Sequence, residues 1–222
     1  MQEHHVDVRR TARYYTLEPE REPREVWFVL HGYGQLAQYF IRHFDAIQNG
    51  QRLIVAPEAL SRYYLPGHKR VGASWMTKED RSAEVDDYLA YLDAVHDQIF
   101  ERVNRRRVTV HVLGFSQGGA TASRWTTLGR VDAGRLILWA SNLAHDLDLG
   151  THAEAIGRRA LTLVVGTQDE YLTPARLAEQ KARLAGHHIP YRLHTFAGTH
   201  QIDADALNVL AANEGNDASL SP

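Results

Sequence analysis

The sequence lacks cysteine altogether and has only three lysines, at positions 69, 78 and 181, among its 25 basic residues. The absence of cysteine excludes disulfides, thiolate metal sites and a cysteine nucleophile, although it leaves the redox compartment open. A formal net charge of −2 excludes the strong positive field with which proteins attract phosphate backbones and anionic membranes. We therefore expect no nucleic-acid partner.

Long apolar runs are also missing from the sequence. No stretch approaches the roughly 20 apolar residues of a membrane-spanning helix, and residues 1–10 are polar and lack the apolar segment of a signal peptide. These observations favour a cytoplasmic protein. The 222 residues, of which 44% are hydrophobic, are enough for one well-packed core. We expect a single domain over 1–222, with about 1–8 and 215–222 frayed.

Short β-branched and apolar runs alternate with helical patterns, which is typical of βαβ units and a mainly parallel sheet. Strands are predicted over 26–30, 53–56, 108–115, 136–140, 161–165 and 191–196, with an edge strand over 10–16. Helices are predicted over about 80–103 and over 117–128, 174–185 and 203–212, and the arginine run 105–107 is interpreted as a solvated turn. The predicted fold class is therefore α/β.

One serine has the surroundings of a catalytic nucleophile. Ser116 stands in the motif Gly114-Phe115-Ser116-Gln117-Gly118, between a predicted strand and a predicted helix. A G-x-S-x-G motif in this context is typical of the sharp strand-to-helix turn that exposes a serine hydroxyl. The glycines are required because a Cβ at 114 or 118 would crowd the turn. The alternative interpretation is a glycine-rich turn that only packs a helix against the sheet.

A serine hydroxyl is a weak nucleophile at neutral pH, so this interpretation requires a histidine base and an acid that orients it. On this type of sheet the chain order is nucleophile, acid and histidine, and the last two lie on loops after later strands. Asp169 follows the predicted strand 161–165, and His200 follows the strand 191–196. We therefore predict Ser116, Asp169 and His200 as a catalytic triad. The neighbouring Glu170 is a competing acid, and Asp146 and Asp148 after the preceding strand are the others.

Acyl transfer also develops an oxyanion, which needs backbone N–H donors held in place before the reaction. The residue after the nucleophile, Gln117, supplies one amide at the start of a helix. The second donor is expected from the first strand-to-helix loop, His31-Gly32-Tyr33-Gly34. Glycines on both sides of Tyr33 would let its amide turn into the site, so Tyr33 and Gln117 are the predicted oxyanion hole.

The motifs Leu30-His31-Gly32-Tyr33-Gly34, Gly114-Phe115-Ser116-Gln117-Gly118-Gly119-Ala120, Gly166-Thr167-Gln168-Asp169 and Gly198-Thr199-His200-Gln201-Ile202 together resemble the phospholipase/carboxylesterase family. This family includes small carboxylesterases and acyl-protein thioesterases. The resemblance spans nearly the whole chain. It implies an α/β-hydrolase fold, with helices on both faces of the sheet and no cap domain, and a serine triad without metal or organic cofactor. It also implies that the amides of Tyr33 and Gln117 form the oxyanion hole.

Two departures from the family pattern concern specificity. Gln35 stands where the family usually has aspartate after the second glycine, and Ser74-Trp75-Met76-Thr77 replaces a pattern of tryptophan, aromatic and aspartate. We predict Trp75 and Tyr64 as walls of a substrate pocket, the latter within the aromatic loop 60–72. The alternative for Trp75 is simple burial, as is common for a large aromatic side chain.

The sequence thus predicts a serine hydrolase that cleaves carboxylic esters of small molecules. Acyl thioesters are the close alternative, because the same groups cleave both and only the leaving-group pocket differs. A peptidase is a third candidate, and a binding module that retains the scaffold without catalysis is the candidate from another class. A homodimer is left open by the residues.

Overall fold

The computed structural model describes residues 1–212. In this range the strands are β1 (Tyr14–Leu17), β2 (Glu25–Leu30), β3 (Arg52–Pro57), β4 (Ser61–Tyr64), β5 (Val71–Ser74), β6 (Thr109–Phe115), β7 (Arg135–Trp139), β8 (Ala160–Gly166) and β9 (Arg192–Phe196). The helices are α1 (Ala37–Phe40), α2 (Arg81–Arg102), α3 (Gln117–Leu128), α4 (Leu149–Gly157), α5 (Pro174–Gly186) and α6 (Ala204–Ala212), with 3-10 helices at Ile41–Ile47 and Arg105–Arg107.

Seven strands form one sheet in the order β1-β3-β2-β6-β7-β8-β9, and β4 pairs with β5 in a separate antiparallel hairpin. Only β1 runs antiparallel to its neighbour, while the other six strands of the sheet are parallel. Parallel neighbours require crossover connections, which the helices supply. The predicted α/β class and its mainly parallel sheet are confirmed.

Alternate residues of the central strands point into two separate cores. In β2, Val26 and Phe28 pack into the core beneath α2, α3, α4 and α5, whereas Trp27 and Val29 face α1, the first 3-10 helix and α6. Both faces of the sheet are therefore covered by helices, which explains why β2 and β3 are buried at every position.

Most predicted elements are present, and the differences have local reasons. The edge strand begins at Tyr14 and not at residue 10. The hairpin β4–β5 begins within the loop predicted over 60–72 and continues beyond it to Ser74. The prediction missed it because its strands have only four residues each and flank a turn containing Pro66 and Gly67. Helix α4 is also additional to the predicted set and is capped by Asp148.

The ends of the chain leave part of the prediction untested. Residues 1–8 form no helix or strand and are exposed, whereas the predicted frayed segment 215–222 lies outside the described residues. The assignment of 1–222 to a single domain stays a prediction. None of the helices within residues 1–212 is both long enough and apolar enough to cross a membrane.

Candidate active site

The strand-to-helix turn around Ser116 is as tight as its glycines suggest. Ser116 has φ 52° and ψ −120°, a conformation that strains any residue with a Cβ. A Cβ at position 114 would lie 2.2 Å from the carbonyl oxygen of Gly118, and one at position 118 would lie 2.2 Å from that of Leu30. The predicted need for glycine at both positions is confirmed. The turn places the hydroxyl of Ser116 directly after the carboxyl end of β6.

The three residues predicted as a triad are linked in series by hydrogen bonds through His200. Ser116 follows β6, Asp169 follows β8 and His200 follows β9, so all three stand at the carboxyl edge of the parallel sheet. His200 Nε2 is 2.9 Å from Ser116 Oγ, and His200 Nδ1 is 2.9 Å from Asp169 Oδ2. A proton on Nδ1 would donate to the carboxylate and leave Nε2 free to accept the serine proton.

The carboxylate of Asp169 is held in a fixed orientation. Its side chain has no solvent exposure, and its Oδ1 accepts hydrogen bonds from the amides of Tyr171 and Leu172, both at 2.8 Å. These two hydrogen bonds, together with that to His200, hold the carboxylate in place. Glu170, in contrast, is exposed, so the geometry favours Asp169 over its neighbour as the partner of His200.

The imidazole of His200 is enclosed by two aromatic rings. The ring centroid of Phe115 lies 4.9 Å away and that of Tyr171 lies 4.6 Å away, and only 16% of the histidine side chain is exposed. The loops that carry the acid and the histidine also touch, because the amide of Gln168 donates to the carbonyl of Gly198 at 2.9 Å. This contact fixes the distance between Asp169 and His200.

The two other candidate acids have different partners. Asp148 caps the N-terminus of α4 by accepting from the amides of Gly150 and Thr151. Asp146 forms an ion pair with the buried Arg124 of α3, whose Nη2 and Nε both donate to Asp146 Oδ1, at 2.7 and 3.0 Å. It also pairs with Arg81 at 2.9 Å. Neither contacts His200 in the part of the chain that the structure describes.

Replacing Asp146 with asparagine is expected to lower stability and to leave activity intact. Arg124 would keep a buried charge without its partner, which costs about 1 to 3 kcal/mol once the partial exposure of Asp146 is allowed for. Burial would raise the pKa of Asp146, but Arg124 outweighs it and lowers the pKa to about 2. The stabilisation is therefore present above about pH 4 and is lost as the pH falls toward about 2.

Urea unfolding of the Asp146→Asn variant and the wild type between about pH 7 and pH 2 measures this difference, which should shrink in acid. Ester hydrolysis per folded molecule is measured in parallel at neutral pH. A variant that folds with wild-type stability but has no activity would return Asp146 to the list of candidate acids.

The predicted oxyanion loop is built around a buried histidine. His31 accepts a hydrogen bond from the amide of Ala59 at Nε2, at 3.0 Å, so its Nδ1 carries the proton and donates to the carbonyl of Gly32 at 2.8 Å. Burial lowers the pKa of His31 to about 4, which keeps the ring neutral at neutral pH. Gly34 follows Tyr33 with φ 75°, a conformation that favours glycine.

Neither the amide of Tyr33 nor that of Gln117 donates a hydrogen bond to another group within residues 1–212. The amides of Gly32 and Gly34 beside them are engaged, with Gln35 Oε1 at 2.8 Å and the carbonyl of Ala73 at 2.9 Å. Free amides at these two positions are what an oxyanion hole requires, although their role stays a prediction.

Trp75 occupies a different position from the one its predicted role requires. Its side chain is only 2% exposed and belongs to the core, where its indole N–H donates to the carbonyl of His31 at 2.8 Å. Its amide donates to Gln117 Oε1 at 3.1 Å. The structure therefore favours the alternative of a buried residue, and Trp75 links the predicted oxyanion loop to the helix after Ser116.

Tyr64 also lies away from the site. Side chains alternate along β4, and Tyr64 points outward with 65% exposure. The adjacent Tyr63 points the other way, with its ring 5.3 Å from that of Tyr33. A pocket wall at Tyr64 is not supported, whereas Tyr63, which belongs to the same predicted wall of the loop 60–72, does face the predicted oxyanion loop. A period-two pattern over 61–64 could have separated the two tyrosines had the strand been recognised.

The same hairpin is attached directly to the predicted oxyanion loop. The amide of Ala73 donates to the carbonyl of Gln35 at 3.1 Å, next to the bond from Gly34 to Ala73. A Cβ at position 72 would lie only 2.4 Å from the carbonyl oxygen of Gly34. The hairpin and the loop therefore form one packed unit beside Ser116.

Comparison with solved structures identifies the fold. No family model matches the chain, and no curated protein matches it in sequence. Acyl-protein thioesterase 2 from Zea mays is similar with a TM-score of 0.69 at 14% identity, covering 90% of this chain and 96% of that one. The Bacillus cereus carboxylesterase gives a TM-score of 0.69 at 13% identity, with 90% and 92% covered.

A carboxylesterase from Mesorhizobium loti is similar as well, with a TM-score of 0.69 at 18% identity and 91% and 95% of the two chains covered. Identities this low establish architecture and leave activity open. Residues 1–212 contain no long insertion that would form a cap domain. The chain therefore has the α/β-hydrolase fold without a long cap domain, and it shares this fold with these carboxylesterases and the thioesterase.

Proposed function

We propose that this chain is a serine hydrolase that cleaves carboxylic esters through an acyl-enzyme intermediate. The observation that carries the proposal is the continuous hydrogen-bonded series from Ser116 Oγ through His200 to Asp169, with both links at 2.9 Å. A nucleophile in contact with a base, and a base oriented by a buried acid, is the arrangement that acyl transfer requires.

In the first half of the reaction, Ser116 Oγ attacks the ester carbonyl while His200 Nε2 takes the hydroxyl proton. Asp169 stabilises the resulting imidazolium and holds its ring in the required tautomer. The carbonyl oxygen becomes an oxyanion, which the amides of Tyr33 and Gln117 would bind, each worth about 100- to 1000-fold in rate. His200 then returns the proton to the departing alcohol.

In the second half, water attacks the acyl group on Ser116, and His200 again accepts and returns a proton. The released carboxylic acid leaves the serine in its original state. The same steps would cleave a thioester, since only the leaving atom differs. The chain is similar in fold to a thioesterase as well as to carboxylesterases, so the proposal includes both esters and thioesters as substrates.

A fluorophosphonate probe tests the nucleophile without knowledge of the substrate. We expect one adduct per chain, located on Ser116 by peptide mass spectrometry, because the probe reacts with serines activated by a base. Hydrolysis of p-nitrophenyl esters from acetate to palmitate, beside the matching thioesters, then ranks acyl length and leaving group. A protein that takes up no probe and cleaves none of these compounds would be a binding module and not a hydrolase.

A further inference from the structure

A cleft of about 600 Å³ begins next to the predicted oxyanion loop. Its lining includes Gly34 and Gln35 of that loop, the apolar side chains of Phe40 and Leu65, and the basic side chains of Lys69 and Arg70. Phe40 also stacks against Phe115, the residue before Ser116, with ring centroids 6.2 Å apart. The cleft therefore lies between α1 and the β4–β5 hairpin, and it is connected to the neighbourhood of Ser116 through Gly34 of the predicted oxyanion loop and through the Phe40–Phe115 contact.

The two cations in this cleft have no counter-charge. Within residues 1–212, neither Lys69 nor Arg70 makes an ion pair or a side-chain hydrogen bond, and both are exposed. Several other exposed arginines are paired with carboxylates, such as Arg102 with Glu18 and Arg130 with Asp97. None of the described residues that line the cleft carries a carboxylate. An anion that enters the cleft would therefore be attracted by both cations, and no carboxylate of the lining would compete with it for them.

The side of the cleft formed by the predicted oxyanion loop is neutral. Gln35 carries no charge, and its side chain accepts from the amide of Gly32 at 2.8 Å. A carboxylate here would repel an anionic ligand, whereas the amide does not. His43 also lines the cleft, and burial lowers its pKa. The positive charge at neutral pH is therefore that of Lys69 and Arg70.

We propose that this cleft is a substrate subsite for an anionic group, which Lys69 and Arg70 bind while the attached ester lies at Ser116. The inference rests on the proposed function and adds a substrate class to it, that of esters carrying a negative charge on the acyl or alcohol side. The basic turn of the hairpin is fixed to the predicted oxyanion loop through Gly34, Gln35 and Ala73. Binding there holds the remote end of the substrate in a defined position relative to the reacting carbonyl.

Matched pairs of substrates test the charge preference. On the acyl side, p-nitrophenyl half-esters of succinate, glutarate and adipate are compared with their neutral methyl esters. On the alcohol side, 4-acetoxybenzoate is compared with methyl 4-acetoxybenzoate. The quantity measured is the ratio of kcat/KM for the anionic over the neutral member. We expect a ratio above one in at least one pair, decreasing with added salt because exposed charges are screened.

The variant Lys69→Gln/Arg70→Gln should lower that ratio about 5- to 10-fold, the effect of two exposed charge pairs. The matched control is Lys181→Gln/Arg106→Gln, which removes the same charge from exposed positions outside the cleft. The control should keep the wild-type ratio. A ratio of one or below in every pair, or an equal loss in the control, would overturn the proposal.

The design separates failure of this inference from failure of the proposed function. Neutral esters cleaved by the wild type and not by Ser116→Ala, without any anion preference, would refute the subsite alone. If no ester is cleaved, binding of 4-acetoxybenzoate to Ser116→Ala is measured by saturation-transfer NMR. Binding lost on adding Lys69→Gln/Arg70→Gln would support an anion site without hydrolase activity, and absence of binding would refute both.

Discussion

Replacing Ser116 with alanine is expected to lower kcat/KM for p-nitrophenyl esters by about 10⁴- to 10⁶-fold, the usual loss when a triad nucleophile is removed. The hydroxyl oxygen lies 2.9 Å from His200 Nε2, and among residues 1–212 it is the only hydroxyl that is hydrogen-bonded to that ring. Residual catalysis would come from the amides of Tyr33 and Gln117 and from substrate binding alone.

The measurement compares initial rates of wild type and variant at several substrate concentrations, with circular dichroism and thermal unfolding to establish that both are folded. Ser82→Ala is the matched control, because Ser82 is an exposed serine on α2. It should retain wild-type kinetics. Hydrolysis by Ser116→Ala at more than about one-tenth of the wild-type rate would require a different nucleophile.

Replacing Asp169 with asparagine is expected to lower kcat by about 10⁴-fold while leaving the fold in place. Asparagine can still accept hydrogen bonds from the amides of Tyr171 and Leu172, which now bond to Asp169 Oδ1. Its NH₂ group, however, would donate to His200 Nδ1 and drive the proton to Nε2. In that tautomer the imidazole cannot accept the proton of Ser116.

The adjacent Glu170→Gln variant is the control for this experiment. Glu170 is exposed, and its replacement by glutamine removes the same charge one residue away. We expect its kcat within about twofold of wild type. Rates of both variants are measured against pH, together with their unfolding midpoints. If Glu170→Gln abolished hydrolysis while Asp169→Asn preserved it, the acid of the proposed triad would have to be reassigned.

Much of this arrangement follows from signals that are local in the sequence. A serine between glycines, placed between a β-branched run and a helical pattern, predicts the turn at Ser116, because a strained backbone and close packing leave few residue types that fit. Asp169 and His200 follow from chain order, since the ends of parallel strands meet at one edge of a sheet. The helix predicted over 80–103 is confirmed as Arg81–Arg102, because it is long and strongly periodic.

Other features depend on contacts between residues far apart in the chain. Trp75 was expected in a pocket wall, but it lies in the core. There its indole N–H donates to the carbonyl of His31, and its amide donates to the side chain of Gln117. Tyr63 and Tyr64 are adjacent and chemically identical, so only the pairing of β4 with β5 decides which of them faces Tyr33. Short strands carry too few residues for periodicity to reveal them.

The sequence by itself therefore determined the α/β architecture and the identity of the three residues that meet at the sheet edge. The glycines around a strained turn and the alternation of strands with helices are each visible in short stretches of sequence, so both can be recognised without the structure. The tertiary structure alone decided the distances within Ser116, His200 and Asp169, the separate partners of Asp146 and Asp148, and the cleft with Lys69 and Arg70. Those features require the hairpin and the loops to pack against one another, and packing between distant segments has no counterpart in local pattern.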